Sequence, residues 1–420
     1  TLSHMKVLIL CDLFPPAFGP RMGYLCKYLR QEGIETTVVT EYVPDDTFAF
    51  LADGTDVVRL PCFRSDGRRS RQHAGPAGAL LNMLLDRKNR LMYREALRQT
   101  RAKGFDLILC STYRLFPLPA ACRLAAKTRL PLLVDLRDII EQYAGHEFIA
   151  RPLPQIPGLT RLVAAIFGKA SLLRRNRALR RAAAVTTVSP WHVETLRRHA
   201  PHVSLIYNGF DPDLFAPADV VAKRFYITYT GRIGSIAMRD PALLLEAVAR
   251  MAGEGLVSPD TFRIRWFTDE PSQRLLRRET EKYALADFMD YHDCVPAVDI
   301  PAILHESAII LLLTNKSAGG GPKGVMTTKF FEALAVQRPV LCVRSDEGSL
   351  EETLLRTRAG LPARNAGEAR RFIEHHYRRW LDTGRTTVDV DRREVDTFSR
   401  RTQARQFIRI FEQITRPHNG

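Results

Sequence analysis

Lys323-Gly-Val-Met-Thr-Thr-Lys-Phe-Phe-Glu-Ala-Leu-Ala-Val-Gln-Arg-Pro-Val-Leu341 is the stretch on which the reading of this chain turns. A Gly-rich basic loop, Ser317 to Gly324, runs into a helix that carries Lys329 and Glu332. The helix stops near Arg338-Pro339, and Pro339 to Val343 follows as a buried strand. A loop entering a helix N-terminus presents free backbone N–H groups and the positive end of the dipole, which suits a phosphate. Glu332, in the first turns, is placed to accept hydrogen bonds from sugar hydroxyls. Phosphate donors and a hydroxyl acceptor on one helix point to a nucleotide-sugar site.

Working outward, the same strand-then-helix rhythm fills the chain. Short apolar runs rich in Val, Ile and Leu stand at Lys6–Cys11, Thr36–Thr40, Val57–Leu60, Leu107–Cys110, Leu132–Val134 and Val185–Val188. They recur after Pro217 at Tyr226–Tyr229, Arg263–Thr268, Ile309–Leu313 and Val340–Val343. Helical patterns such as Pro241–Met251 and Thr327–Val336 lie between them. This alternation predicts α/β architecture with two doubly wound parallel sheets, joined near Asn208–Pro217, with a ligand in the cleft between the domains. The expected boundaries are 5–208, 209–397, and a closing segment 398–420 whose helix, about Arg401–Ile414, crosses back to the first domain.

Length and composition agree with a two-domain globular chain: 420 residues, 45% hydrophobic and 26% charged. No apolar run reaches the roughly 18–20 residues needed to span a bilayer. Met5 is read as the start of the natural chain, and Met5–Cys11 as a first strand rather than a signal segment. Seven scattered cysteines without a Cys-x-x-Cys pair point to free thiols and a cytoplasmic setting, not to disulfides or zinc. His375-His376 reads as a surface pair, and the tryptophans at 191, 266 and 380 as core or interface residues.

The formal charge of +16 is concentrated in the first half. Arg64–Gly104 holds eleven Lys/Arg against three acids, and Arg161–Arg181 holds seven against none. Leu159–Arg181 places apolar residues at 159, 162, 163, 166, 167, 170 and 173, a helical stripe with basic residues close behind. Ala79–Tyr93 is a second such segment. Either lies at an anionic membrane surface or packs on its own domain. Nucleic-acid binding would fit the charge alone, but no recognition motif accompanies it, so no nucleic acid is expected as a partner.

Further pieces stand in a fixed order: Phe14-Pro-Pro-Ala-Phe-Gly-Pro-Arg-Met-Gly23, Asp135-Leu-Arg-Asp138, Thr186-Thr-Val-Ser189, Tyr207-Asn-Gly-Phe-Asp211, and Tyr229-Thr-Gly-Arg-Ile233 with Arg239-Asp-Pro241. With the Lys329/Glu332 helix last, the chain resembles the family-4 glycosyltransferases over essentially Met5 to Ile414. The nearest branch in that resemblance makes bacterial surface polysaccharides or related glycoconjugates.

The resemblance implies the GT-B fold and a retaining, metal-independent transfer of a sugar from a nucleoside diphosphate donor, with no cofactor. It implies that Glu332 accepts from the nucleotide ribose and that Arg239 and Arg232 neutralise the diphosphate. Thr327, Thr328, Lys329 and the backbone near Gly231 and Gly324 complete the donor site, and Gly19 lets the first loop cover the ligand. Arg137 and Asp138 face the sugar as the catalytic pair. The acceptor is a glycan, lipid-linked or otherwise, and a peripheral place on the inner membrane face follows if it is lipid-linked. Two departures from the family pattern stand out. The first of two glutamates usual in that pattern falls on Gly324, and a histidine usual after the first-domain strand is replaced by Arg137-Asp138. The alternative enzyme on the same fold is a nucleotide-sugar epimerase, and the alternative binding protein is a basic membrane scaffold.

Overall fold

The computed structural model describes residues 5–61, 86–113, 115–143, 157–237, 239–314 and 326–416. Gly324 and the rest of the Ser317–Gly324 loop lie outside the described residues, as does Ala79–Leu85. Two compact units are present: residues up to Tyr207 together with those from Gln403 on, and Asn208–Thr402.

In the first unit, seven described strands form a wholly parallel sheet: β1 (Lys6–Cys11), β2 (Glu35–Glu41), β3 (Asp56–Leu60), β4 (Leu107–Thr112), β5 (Leu132–Leu136), β6 (Ala184–Thr187) and β7 (Val203–Leu205). Their spatial order is β3-β2-β1-β4-β5-β6-β7. β1 pairs with both β2 and β4, with Leu8 opposite Thr37 on one side and Ile108 on the other. Val7 to Cys11 have no exposed surface, because helices cover both faces of the sheet and every position is interior. Val7, Ile9 and Cys11 join one core with Met22, Leu25 and Tyr28 of the helix Pro20–Gln31. Leu8 and Leu10 join the other, with Met92, Ala121 and Leu179.

The last helix, Arg400–Thr415, seats Ala404, Phe407, Ile408 and Phe411 in the first of these cores. Phe407 and Phe411, both fully buried, contribute about 2–3 kcal/mol each by removal from water. The helix Pro157–Leu179 is arranged differently. Its inward positions include Ala164, Ala178 and Arg175, the last paired with Glu141 at 2.6 Å. Among its described residues only the last, Leu179, puts a large apolar side chain in the core, while Leu162, Ile166 and Leu173 point outward, 58%, 59% and 53% exposed. Among the described residues no helix is long and apolar enough to cross a membrane.

In the second unit, six described strands form a second parallel sheet: β8 (Phe225–Thr230), β9 (Phe262–Phe267), β10 (Met289–His292), β11 (Ile309–Leu313), β12 (Val340–Val343) and β13 (Gly360–Ala363). The order is β10-β9-β8-β11-β12-β13. Leu244, Leu245, Val248 and Met251 of the helix Ala242–Gly253 turn inward against Phe225, Ile227 and Trp266. Asp240 starts that helix by accepting from the Ala242 N–H at 2.9 Å.

The strands the periodicity does not predict, β7, β10 and β13, all lie at sheet edges. An edge strand has one partner and is short or polar: Val-Ser-Leu, Met-Asp-Tyr-His, and Gly-Leu-Pro-Ala. One expectation is corrected. His376 is buried beside Phe372, while His375 is exposed, because the helix Ala366–Thr383 turns alternate sides of that pair to core and solvent.

Candidate functional site

Each sheet has one place where successive strands leave in opposite directions, at β1/β4 in the first unit and β8/β11 in the second. Loops at the carboxyl ends of strands beside such a point form the usual ligand crevice of open α/β sheets. The chemistry-bearing residues of each unit gather there.

In the second unit, β8 runs into Gly231, whose φ of +117° is a conformation L side chains rarely adopt. The loop beyond it is pinned from several sides. The Gly231 N–H donates to the Phe267 carbonyl at 2.7 Å, and the Tyr229 hydroxyl donates to the Arg232 carbonyl at 3.0 Å. The Ile233 N–H donates to Ser272 Oγ at 2.9 Å, and Arg239 donates to the Ile233 carbonyl at 3.0 Å. Ser272 is itself fixed in the first turn of the helix Glu270–Glu281, where its N–H donates to Asp269.

Lys329 and Glu332 share one face of the helix Thr328–Ala335, three residues apart. A Cβ built on Gly231 would lie 1.4 Å from Lys329 Nζ, so the ammonium fills the space a side chain there would take. The ammonium stands 5.5 Å from the centre of the Tyr229 ring. Burial first, then the neighbouring Arg239, pushes the Lys329 amine down to about 8, and Glu332 only partly offsets them. Glu332, half-buried, is pushed up to about 7 by burial, against the pull of Arg400 and Lys329. Arg232 is 3.4 Å from Asp269 and largely exposed. Thr327 stands at the N-cap with extended backbone and makes no capping bond with its side chain.

Three cations, Lys329, Arg239 and Arg232, thus surround one rigid loop, and their repulsion is felt in the lowered Lys329 amine. An anion placed among them relieves that repulsion, and the N–H groups at the start of the helix Thr328–Ala335 add to the attraction. Arg400 was not anticipated. It is buried, and its N–H donates to the Phe210 carbonyl at 2.8 Å. One arginine among 62 basic residues carries no local signal; only the pairing of Phe210 with the 398–400 backbone delivers it to Glu332.

In the first unit, Arg21 and Asp135 form a fully buried ion pair at 2.9 Å. Arg21 also donates to the carbonyls of Ile206 and Tyr207, at 3.0 and 2.8 Å, while Ser111 and Thr186 donate to Asp135 at 3.0 and 2.8 Å. Burial would lift the Asp135 carboxyl, but Arg21 and these donors hold it below the usual range. Asp135 therefore serves Arg21 rather than its sequence neighbour. Arg137 pairs instead with Asp12, at the end of β1. Asp138 accepts from Gln142 at 2.8 Å and has its carboxyl raised by burial. Gly19 has a local reason to be glycine: a Cβ there would lie 2.7 Å from the Leu13 carbonyl oxygen.

Residues 18–209 match the glycosyl transferase 4-like domain family. Among curated proteins, none matches this sequence significantly. Solved structures match almost end to end. HepE from Anabaena, in complex with UDP and glucose, is 17% identical with a TM-score of 0.62 over 98% of this chain and 100% of its own. Sucrose-phosphate synthase from Thermosynechococcus elongatus is 16% identical with a TM-score of 0.61, covering 98% and 99%. The lipopolysaccharide outer core galactosyltransferase WaaB, in its apo form, is 12% identical with a TM-score of 0.57, covering 97% and 99%. The two Rossmann-like units are those of the GT-B fold. The match to the glycosyl transferase 4-like domain family covers residues 18–209, most of the first unit.

Proposed function

We propose that this chain moves a sugar from a nucleoside diphosphate sugar, held by the second unit, to a glycan acceptor served by the first, with retention at the anomeric carbon and without a metal ion. The observation that carries the reading is the Lys329–Arg239–Arg232 cluster on the Gly231–Ser235 loop, with Glu332 on the adjoining helix face. The relatives that bind UDP and UDP-glucose support a donor of that class.

Cleaving the anomeric C–O bond leaves negative charge on the departing diphosphate. Lys329, Arg239 and the N–H groups at the start of the helix Thr328–Ala335 are already in place, so they stabilise that charge without reorganising. Glu332 accepts hydrogen bonds from the ribose hydroxyls. Arg232, the exposed Thr327 and the half-buried Thr328 contact the phosphates from the outer side. Arg137 and Asp138 serve the acceptor and transferred sugar. The acceptor hydroxyl attacks from the face the diphosphate leaves, which gives retention with no covalent intermediate.

A lipid-linked acceptor suits the outward face of the helix Pro157–Leu179. Leu162, Ile166 and Leu173 are exposed there among Arg161, Lys169, Arg174 and Arg177, a mixture fitted to an anionic membrane surface. A role in polysaccharide or glycoconjugate synthesis at the cytoplasmic membrane face follows from that surface.

Calorimetric titration with UDP, GDP, ADP and CMP in the presence of EDTA tests the donor reading. Saturable binding of one nucleoside diphosphate, lost in Glu332→Ala, is the expected result. Failure of all of them to bind overturns it.

A further inference from the structure

His192 is buried in the first unit, on the third residue of the helix Pro190–Leu196, and no part of the donor chemistry uses it. Its Nδ1 lies 3.1 Å from Thr187 Oγ1, and its Nε2 lies 2.9 Å from Gln142 Oε1. Gln142 in turn donates through Nε2 to Asp138 at 2.8 Å. The direction of the bonds on either side of Gln142 follows from one donor that cannot reverse. The Ile139 backbone N–H points at Gln142 Oε1 at 3.3 Å, so that atom is the amide oxygen. His192 Nε2, facing the same oxygen, must therefore carry a hydrogen. Burial pushes the imidazole down to about 4, so the ring is neutral near pH 7 and Nδ1 is bare. The Thr187 hydroxyl lies 2.9 Å from the Leu136 carbonyl as well as 3.1 Å from Nδ1, so its single proton is shared between that oxygen and the bare ring nitrogen. The amide nitrogen of Gln142 is then left to face Asp138 as a donor.

We infer that His192 and Gln142 form a one-way relay of hydrogen bonds that orients Asp138 and favours its ionised form. The proposal rests on the reading that Asp138 acts at the acceptor side. His192 and Gln142 are positioning residues, acting through one another and not on substrate. The charged neighbours are accounted for. Arg137 lies beside Asp138 and also favours the carboxylate, while burial opposes both. Glu141 and Arg175, paired to each other, act on His192 with opposite signs. The relay gives a reason for a histidine at 192, where an apolar residue would fill the core equally well.

The test has two arms. Long-range proton–nitrogen spectra of the full chain labelled in histidine read the His192 tautomer directly, without any activity. The neutral Nε2–H form at pH 7 is expected, persisting to about pH 5. An Nδ1–H form or a charged ring at pH 7 overturns the relay. In the second arm, Gln142→Met and His192→Asn are assayed against pH. Loss of the donor raises the Asp138 pKa, so the acidic limb of kcat should move up by about one pH unit with donor KM within twofold of the parent. A drop in kcat with an unmoved limb overturns it as well. Asp138→Asn separates the two readings: retained activity removes the role of Asp138, while the tautomer still decides the relay.

Discussion

The Lys329 ammonium occupies the space that a side chain on residue 231 would fill, 1.4 Å from the site of a Cβ on Gly231. A glycine after β8 and a lysine nearly a hundred residues later are thus one device. The glycine provides the opening, and the lysine places a cation against the loop backbone. Gly231→Ala should act in two ways. At a φ of +117° the alanine is strained by roughly 1–3 kcal/mol. The flexible lysine tip can retreat, so the steric clash itself costs little, but the ammonium leaves the phosphate position. Nucleoside diphosphate affinity should fall at least tenfold by calorimetry, with a lowered thermal midpoint.

Donor binding should depend on pH in a bell. Glu332, pushed up to about 7, must lose its proton to accept from two ribose hydroxyls, so affinity should fall as pH drops through 7. Lys329, pushed down to about 8, must keep its proton to hold the diphosphate, so affinity should fall again as pH rises through 8. Because the bound diphosphate favours the charged amine, binding at pH 8 should take up a proton. Calorimetry in two buffers of different ionisation heat measures that uptake, and release of a proton instead would contradict the assignment.

Glu332→Gln should separate stability from function. The folded carboxyl titrates near 7, above its ordinary 4.5. Its contribution to stability is therefore complete below 4.5 and is lost as pH rises through 7, leaving the charged group a net cost above that. The upward shift already includes the attraction of Arg400 and Lys329. Since Glu332 is only half-buried, the cost is discounted to about 1–2 kcal/mol. At pH 8 the variant should melt a few degrees higher than the parent while binding the donor more weakly. An unchanged or lower midpoint at pH 8 would show that the carboxylate is well solvated.

The Arg21–Asp135 pair is the opposite case, a buried charge with every partner supplied. Arg21→Ala leaves Asp135 ionised and enclosed, and the expected loss is about 3–5 kcal/mol in urea unfolding. The partner substitution Asp135→Asn should cost a similar amount, and the double variant less than the sum. Additive losses would mean the two groups do not act as a pair.

The strands that lie inside the two sheets were legible because they are largely buried and read as short runs in which apolar residues predominate. The edges β7, β10 and β13 were not, since one partner and partial solvent exposure remove that signal. Lys329, Glu332 and Arg239 could be picked out from a helix pattern and a motif order that local sequence carries. Arg400, Arg21 and His192 could not. Their importance comes from backbone pairings and hydrogen bonds between segments dozens to hundreds of residues apart, and nothing in their immediate neighbours marks them. The same limit applied to Asp135, whose partner is Arg21 across the sheet and not Arg137 two residues away. For the helix Pro157–Leu179 the stripe was legible but not its direction, because small residues, a paired arginine and the terminal Leu179 fill the inner face.

That direction sets the last prediction. If Leu162, Ile166 and Leu173 meet a bilayer, replacing all three by serine should leave folding intact, since they are already exposed in water. Co-sedimentation with vesicles containing phosphatidylglycerol should drop at least tenfold, while neutral phosphatidylcholine vesicles bind the parent weakly. Added salt should weaken the parent's binding through Arg161, Lys169, Arg174 and Arg177, and the apolar contribution should persist. Equal sedimentation of the parent and the triple variant would assign the basic residues alone to the interaction. No binding by the parent at low salt would remove the membrane from the reading and turn attention to a water-soluble acceptor.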